Sequence, residues 1–399
     1  RFKAFQDGTT NVKTGNKTNI DPRIGAQSII NTLTISSRRY ATSICEQIHN
    51  YNQLVSIAHP TLASTRDILT QKSHEQLSIG QGIYNRKQQG QREENIHSDL
   101  NNIKVLQRKT TQCNGTKAQN AGVDCSIQLY AGMFQSQNID LRLMGGLEIE
   151  ITLAPDSSVF HNAGANTFYE ISDVVLNAPL LYKSASQMAS AQQPSQIEFL
   201  SWSSLYNVIQ STNATINNKV GLRGCLSMLQ KFVPVKYLNN YGVQDENTGD
   251  AYGANAFSGW NVGVKRLTFH RNGQRYPNEY QIITERGDGN PDAELIADKT
   301  PQVLINSLSA FENYKDVKHT HLTSQNLAIN RQNNYFIGVS FDQISGQGID
   351  LSGGTISTEL ESALQDPANN VQKPFGVFTF FLNKNTLVIQ PNQRIQSIE

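Results

Sequence analysis

The stretch Leu147-Glu148-Ile149-Glu150-Ile151-Thr152-Leu153 alternates apolar and polar residues without a break. Successive side chains of a β-strand point to opposite faces, so this alternation predicts a strand with one buried and one solvated face. Strand patterns of this kind recur along the chain, whereas helical patterns are few, short and widely separated. The sequence therefore predicts a β scaffold that carries short helical insertions and crossovers.

The surroundings of this strand recur later in the chain. Both copies begin with Ile-Asp-Leu, continue to a Gly-Gly pair and end at a leucine, over residues 139–153 and 349–360. An aromatic-rich segment follows each copy, at 168–171 and 378–381. The segment 184–195 between the copies is rich in Ala, Ser and Gln, which is typical of a linker. Together these features favour a duplicated unit with a boundary near the middle of the chain.

Four further segments have the β-branched or aromatic composition of strands: 28–35, 335–341, 375–381 and 386–389. Asn383-Lys384-Asn385 lies between the last two and is predicted as a hairpin turn.

Three helices are predicted from start signals, stop signals and apolar spacing. Ser43 and Glu46 have the spacing of a capping box, and Pro60 is expected to end that helix. A second helix carries the stripe Leu222, Leu226, Leu229 and Phe232 and ends at Pro234. In the third, Thr300-Pro301 opens a segment with the stripe Leu304, Leu308 and Phe311.

Composition excludes several classes of protein. The chain has 399 residues, 38% of them hydrophobic, so an acidic disordered protein is excluded. Its 34 basic and 33 acidic residues give a net charge of +1, which argues against a strongly basic nucleic-acid module. Asn and Gln number 74 against 67 charged residues, and no apolar run approaches the roughly 20 residues that span a bilayer. The length fits two domains or one large β unit.

No residue pattern indicates catalysis, a cofactor or a metal ion. His319-Thr320-His321 lacks further ligands at zinc spacing, and Glu148 with Glu150 is better explained as a solvated strand face than as a catalytic pair. The segment 288–294 fails the EF-hand pattern, although an irregular cation site there stays open. We therefore predict no catalytic, cofactor-binding or metal-binding residues and no cofactor.

The four cysteines, Cys45, Cys113, Cys125 and Cys225, include no Cys-x-x-Cys pair and favour a reducing compartment. Cys113 and Cys125 flank a loop, so a disulfide between them stays possible, with two thiols favoured.

The order of features along the chain resembles one protein family. The segments that carry this resemblance are 141–151, 211–233, 265–277, 346–360 and 375–395. They are similar to strands of double jelly-roll major capsid proteins of the tectivirus–adenovirus lineage. The pattern is closest to virophages, polinton-like viruses and large DNA viruses of eukaryotes.

This resemblance implies an all-β fold of two tandem eight-stranded jelly rolls with short helical insertions. The first would span 1–185, with a helical and polar insertion at about 37–112, and the second 186–399. Loops at 242–259 and 285–299 would form the outer end of the subunit.

The implied function is that of a major capsid protein in the virion, assembled inside the host cell. Homotrimers would form pseudo-hexameric capsomers of an icosahedral DNA virus shell. The partners would be neighbouring capsomers, minor capsid proteins and penton proteins, with no sequence-specific nucleic acid and membrane contact only through other proteins.

Two alternatives stay open. A β-sandwich carbohydrate- or receptor-binding protein, such as a spike, fibre or lectin-like module, needs a groove with exposed aromatic residues, for which Trp202 and Trp260 are the available tryptophans. A β-sandwich glycosidase would need two facing carboxylates.

Overall fold

A computed structural model provides the fold. It describes residues 1–6, 10–11, 19–20, 24–38, 44–62, 124–135, 139, 141–161, 167–182, 184, 195–238, 257, 259, 264–275, 300–315, 317, 335–341, 347–362, 374–389 and 396–398.

Elements up to residue 171 are short strands with small helices between them. The strands are β1 (Phe2–Gln6), β2 (Thr10–Asn11), β3 (Asn19–Ile20), β4 (Ile30–Ser37), β5 (Ile44–Ile48), β6 (Leu147–Leu153), β7 (Phe160–His161) and β8 (Phe168–Ile171). The helices are α1 (Tyr51–Leu62), α2 (Gly132–Gln135), α3 (Leu141–Met144) and α4 (Asp156–Val159). A 3₁₀ turn, Gly25–Ile29, precedes β4.

From residue 195 onward several strands are longer, and β9 and β16 have 15 residues each. They are β9 (Ser195–Ile209), β10 (Asn213–Asn218), β11 (Cys225–Pro234), β12 (Val264–Arg271), β13 (Gln274–Arg275), β14 (Ile337–Ser340), β15 (Ile356–Ser362), β16 (Phe375–Ile389) and β17 (Gln396–Ile398). One helix, α5 (Thr300–Glu312), and a 3₁₀ turn, Val235–Tyr237, complete the described elements of this half.

The strands β9 to β16 form two antiparallel four-stranded arrangements. In one, β14, β11, β16 and β9 are neighbours in that order. In the other, the order is β10, β15, β12, β13. If the strands from β9 to β16 are numbered 1 to 8, these orders are 6-3-8-1 and 2-7-4-5. In both sheets, strands from the first four therefore alternate with strands from the last four. Eight strands in two interleaved sheets are the jelly roll, and the second half has this fold.

The residues from 1 to 171 reproduce part of the same pairing. Strand β4 lies between β5 and β6, as β12 lies between β13 and β15. The first strand, β1, pairs with β8, as β9 pairs with β16. A helix follows the hairpin in each half, α1 after β5 and α5 after β13. The predicted repeat therefore leads into strands, β6 and β15, that hold corresponding places in the two halves.

The all-β prediction is confirmed, as are several of its parts. The strand at 147–153, the helix that begins at Thr300, and a strand within 335–341 are present. As far as it is described, the segment 265–277 contains β12 and β13, and Asn272 and Gly273 between them have φ of 51° and 77°. Positive φ at both positions is what a two-residue turn of type I′ requires.

Two helix predictions were wrong. The apolar residues from Leu226 to Phe232 belong to strand β11, all of whose residues are buried. A strand that is covered on both faces has no polar side, and its apolar spacing then matches a helix by accident. Ser43 and Glu46 do not form a capping box, because Ile44–Ile48 is strand β5 and the helix begins only at Tyr51. That helix also continues past Pro60 to Leu62.

The predicted hairpin at Asn383-Lys384-Asn385 was also wrong. Strand β16 runs unbroken from Phe375 to Ile389 and pairs with β9 along its whole length. The side chain of Asn385 donates to Ser201 Oγ at 2.8 Å, and Asn383 Oδ1 accepts from the Gly224 N–H at 3.1 Å. These partners satisfy turn-forming residues inside a strand.

The segment 37–112 was predicted as an insertion, but its first part belongs to the scaffold. Strand β5 is the hairpin partner of β4, and α1 packs on the same unit. Residues 63–112 lie outside the described part of the chain.

A single large cluster of buried apolar side chains takes members from both halves. It contains Leu33, Ile48 and Leu54 from the first half and Trp202 and Phe380 from the second. A smaller cluster surrounds Phe2 and Phe160. Within the described residues, no helix has the length and apolarity that crossing a bilayer requires.

Candidate functional site

The residues that the sequence offered for chemistry do not converge on one site. Glu148 and Glu150 lie on the exposed side of β6, as expected for a solvated face. His319, His321, the segment 288–294 and Cys113 lie outside the described residues. Across the part of the chain that the structure describes, no three His, Cys, Asp or Glu side chains are grouped closely enough to hold a metal ion.

Trp202 does not form an exposed aromatic platform. Its side chain is buried and packs against Tyr314 and Phe311, with ring centroids 5.3 Å and 6.2 Å away. Trp202 is therefore a core residue, which removes one of the two tryptophans that a carbohydrate-binding groove would need. Trp260 is outside the described residues.

The most distinctive polar site is the carboxylate of Glu46, which is buried where the two halves meet. Its Oε1 accepts from the backbone N–H groups of Gly132 at 2.9 Å and Trp202 at 2.8 Å. Its Oε2 accepts from the N–H of Met133 at 3.0 Å. One side chain on β5 thus holds the first turn of α2 and the middle of β9, which are 86 and 156 residues away along the chain.

Burial raises the pKa of Glu46 to about 7, while the three backbone N–H groups oppose this rise. Desolvation disfavours the charged form more than three neutral donors favour it. The nearby Cys45 thiol is also buried, which raises its pKa to about 11, and the charge of Glu46 adds to the effect. The site is therefore a structural contact whose charge changes near neutral pH.

Close backbone packing surrounds Glu46. A Cβ atom at Gly132 would lie 2.4 Å from the carbonyl oxygen of Leu200 on β9. No side chain fits in that space, so glycine is required for α2 to approach the second half. Ser204 Oγ adds a bond to the carbonyl oxygen of His49 at 2.6 Å.

A second buried contact between the halves uses Lys231 of β11. Its ammonium donates to Gln53 Oε1 of α1 at 2.9 Å, to Ser56 Oγ of the same helix and to the carbonyl oxygen of Phe257 at 2.7 Å. Three acceptors match the three donors of an ammonium group. Lys231 thereby fixes α1 against β11 of the second half.

Two further side chains of α1, His59 and Tyr51, contact Tyr130. His59 Nδ1 lies 2.9 Å from the hydroxyl of Tyr130, and the Tyr51 hydroxyl accepts from the Tyr130 N–H at 2.8 Å. Burial lowers the pKa of His59 to about 4. His59 is therefore neutral at physiological pH and serves packing.

A surface feature stands out after β8. The residues 173–182 belong to no helix or strand, and large apolar side chains along them are exposed. The sequence shows this stretch as Val174-Val175-Leu176 and Leu180-Leu181-Tyr182 on either side of Asn177-Ala178-Pro179. The linker prediction for 184–195 does not include this stretch.

Glu46 and Lys231 were not recognised from the sequence either. Their partners come from distant segments of the chain, and no local sequence spacing predicts such a contact.

Comparisons with known proteins give similarity to solved structures alone. No protein-family model matches the sequence, and no curated protein does. The chain is similar to the PBCV-1 virus capsid at 10% identity and a TM-score of 0.47, over 100% of this chain and 88% of that chain. It is similar to the Faustovirus major capsid protein at 7% identity and a TM-score of 0.48, over 98% of this chain and 77% of that chain. It is similar to the mavirus major capsid protein at 7% identity and a TM-score of 0.44, over 100% of this chain and 82% of that chain.

Proposed function

We propose that this chain is a major capsid protein, a structural subunit whose trimers form pseudo-hexameric capsomers of an icosahedral DNA virus shell. The observation that carries the proposal is the strand order. The second half is a jelly roll. In the first half, the pairing of β4 with β5 and β6 and the pairing of β1 with β8 repeat pairings of that jelly roll. A chain that contains two similar barrels supplies six similar units when three copies meet around a threefold axis.

We propose that the boundary between the two barrels lies between residues 185 and 186. Strand β8 ends at Ile171 and β9 begins at Ser195, so this boundary falls between the last strand of one unit and the first of the next. The resulting units, 1–185 and 186–399, have the size expected of domains.

The junction between the halves supports a role as a rigid building block. A pseudo-sixfold outline requires the two barrels to keep one relative orientation. Glu46 joins the halves through one hydrogen bond, from the Trp202 N–H, and Lys231 joins them through two, to Gln53 and Ser56. Buried polar groups need their partners, so a changed orientation would leave these groups unsatisfied.

Composition supports a particle in which surfaces repeat many times. With 17% charged residues and a net charge of +1, neighbouring copies repel one another little. In the proposal, the chain has no enzymatic role and is located in the virion. Its partners are further capsomers, minor capsid proteins and penton proteins, and the loops at 242–259 and 285–299 face outward.

Electron microscopy of the purified full chain tests the proposal. We expect class averages with threefold symmetry and a six-lobed outline. Single β-sandwich particles that bind glycans on an array would contradict it and favour the carbohydrate-binding alternative.

A further inference from the structure

The residues 173–182, which we call the strap, expose more apolar surface than any other described segment. Six side chains are involved, with exposed fractions of 77% (Val174), 75% (Val175), 65% (Leu176), 58% (Leu180), 78% (Leu181) and 91% (Tyr182). Together they offer on the order of 500 Å² of apolar side-chain surface. The largest apolar patch of an ordinary monomer is about 300–600 Å², and such patches commonly mark an interaction site.

The backbone of the strap is also unpaired. At its root, the Ser172 N–H donates to the Arg1 carbonyl oxygen at 3.0 Å, and the Arg1 amino group donates to the Ser172 carbonyl oxygen at 2.6 Å. Beyond this point, residues 174–182 make no hydrogen bond with the described part of the chain. Backbone N–H and C=O groups that are unpaired can bind the edge of a sheet, as an added peptide strand does.

The side of β6 that faces away from β4 is a sheet edge that has, within the described residues, both the unpaired backbone and the exposed apolar residues that the strap would need. Strand β6 pairs with β4 on one side, whereas the corresponding β15 pairs with β12 and with β10. The position that β10 occupies beside β15 has no counterpart beside β6 among the described residues. Ile151 and Leu153 at this end of β6 are exposed by 37% and 50%.

We propose that the strap of one chain docks along β6 of a second copy of the same chain, over Ile151 and Leu153. The inference rests on the proposed function, because a trimeric capsomer supplies the second copy. Strap and β6 are different surfaces, so their contact is heterologous, and in the proposed trimer a threefold rotation closes it into a ring. The strap and its counter-surface together bury on the order of 1,000 Å², the least that a specific interface needs.

Cross-linking identifies the occupant. The Leu153→Cys, Leu181→Cys double variant is oxidised and run on a non-reducing gel, with each single variant as control. We expect reducible dimer and trimer bands from the double variant alone. A cross-linked monomer would mean that the strap covers β6 of its own chain and would overturn the proposal, as would no cross-link.

Removing the apolar side chains tests the energetic claim. In the Val175→Ser, Leu181→Ser variant, native mass spectrometry should show association weakened at least about 100-fold. The control is Ile305→Ser, which removes a 62% exposed side chain from α5 and should leave association unchanged. If the wild-type chain forms trimers and the Val175→Ser, Leu181→Ser variant forms them equally well, this inference is overturned and the proposed function stands. A wild-type chain that stays monomeric overturns both.

Discussion

Replacing Glu46 with Gln should remove a pH dependence of stability that arises at the contact between the halves. The variant keeps the shape of the side chain but cannot ionise. Burial raises the pKa of Glu46 from its ordinary value of 4.5 to about 7 in the folded chain. A carboxyl group with a raised pKa stabilises the fold fully below pH 4.5, and this contribution is lost as the pH rises through about 7. At about 1.4 kcal/mol per pH unit, the loss amounts to about 3 kcal/mol.

His59 titrates in the opposite sense and would mask this effect in the wild-type chain. Burial lowers its pKa from 6.5 to about 4, so its contribution is present above pH 6.5 and is lost as the pH falls through about 4. The difference between two chains that share His59 cancels this term. Glu46→Gln against wild type therefore isolates the carboxyl group.

The assay is urea unfolding at matched protein concentration from pH 4.5 to 8. The free energy of unfolding of Glu46→Gln, relative to wild type, should rise by about 3 kcal/mol across this range. Glu148→Gln, on the exposed face of β6, is the matched control and should follow the wild-type profile. A difference that stays constant with pH, or moves in favour of wild type, would refute the argument that desolvation outweighs the three N–H donors.

Two further predictions concern packing and reactivity. Gly132→Ala should lower the free energy of unfolding by about 2–4 kcal/mol, because the new Cβ would lie 2.4 Å from the Leu200 carbonyl oxygen. The control is Gly221→Ala, where no atom lies within 4 Å of the new Cβ, and this change should cost less than about 1 kcal/mol. Equal losses of unfolding free energy in urea would contradict this prediction. Cys225 is buried, which raises its pKa, so peptide mapping after alkylation at pH 8 should show labelling of half-buried Cys125 before Cys225, and equal labelling rates would contradict this.

The sequence predicted those elements whose signals are local. The alternation at 147–153 and the Thr300-Pro301 helix start depend on neighbouring residues, and both are present. The repeat also led to corresponding strands, because it contains a strand together with its approach.

Predictions failed where distant partners decided the structure. Asn383-Lys384-Asn385 has turn chemistry, but pairing with β9 over fifteen residues outweighs it. Glu46 has the capping-box spacing to Ser43, yet its carboxylate accepts from the backbone N–H groups of Gly132, Met133 and Trp202 instead. Nothing within a few residues of Glu46 indicates those partners, so the contact between the halves was not predictable from local pattern.

The mass of the native particle tests the central claim most directly. Native mass spectrometry of the full wild-type chain at low micromolar concentration should show a trimer of about 133 kDa, three times the 44.3 kDa of one chain. An obligate trimer of this kind should bury more than about 2,000 Å² per contact, so monomers should be scarce. A folded monomer at 44.3 kDa that never associates would contradict the assignment as a capsid subunit.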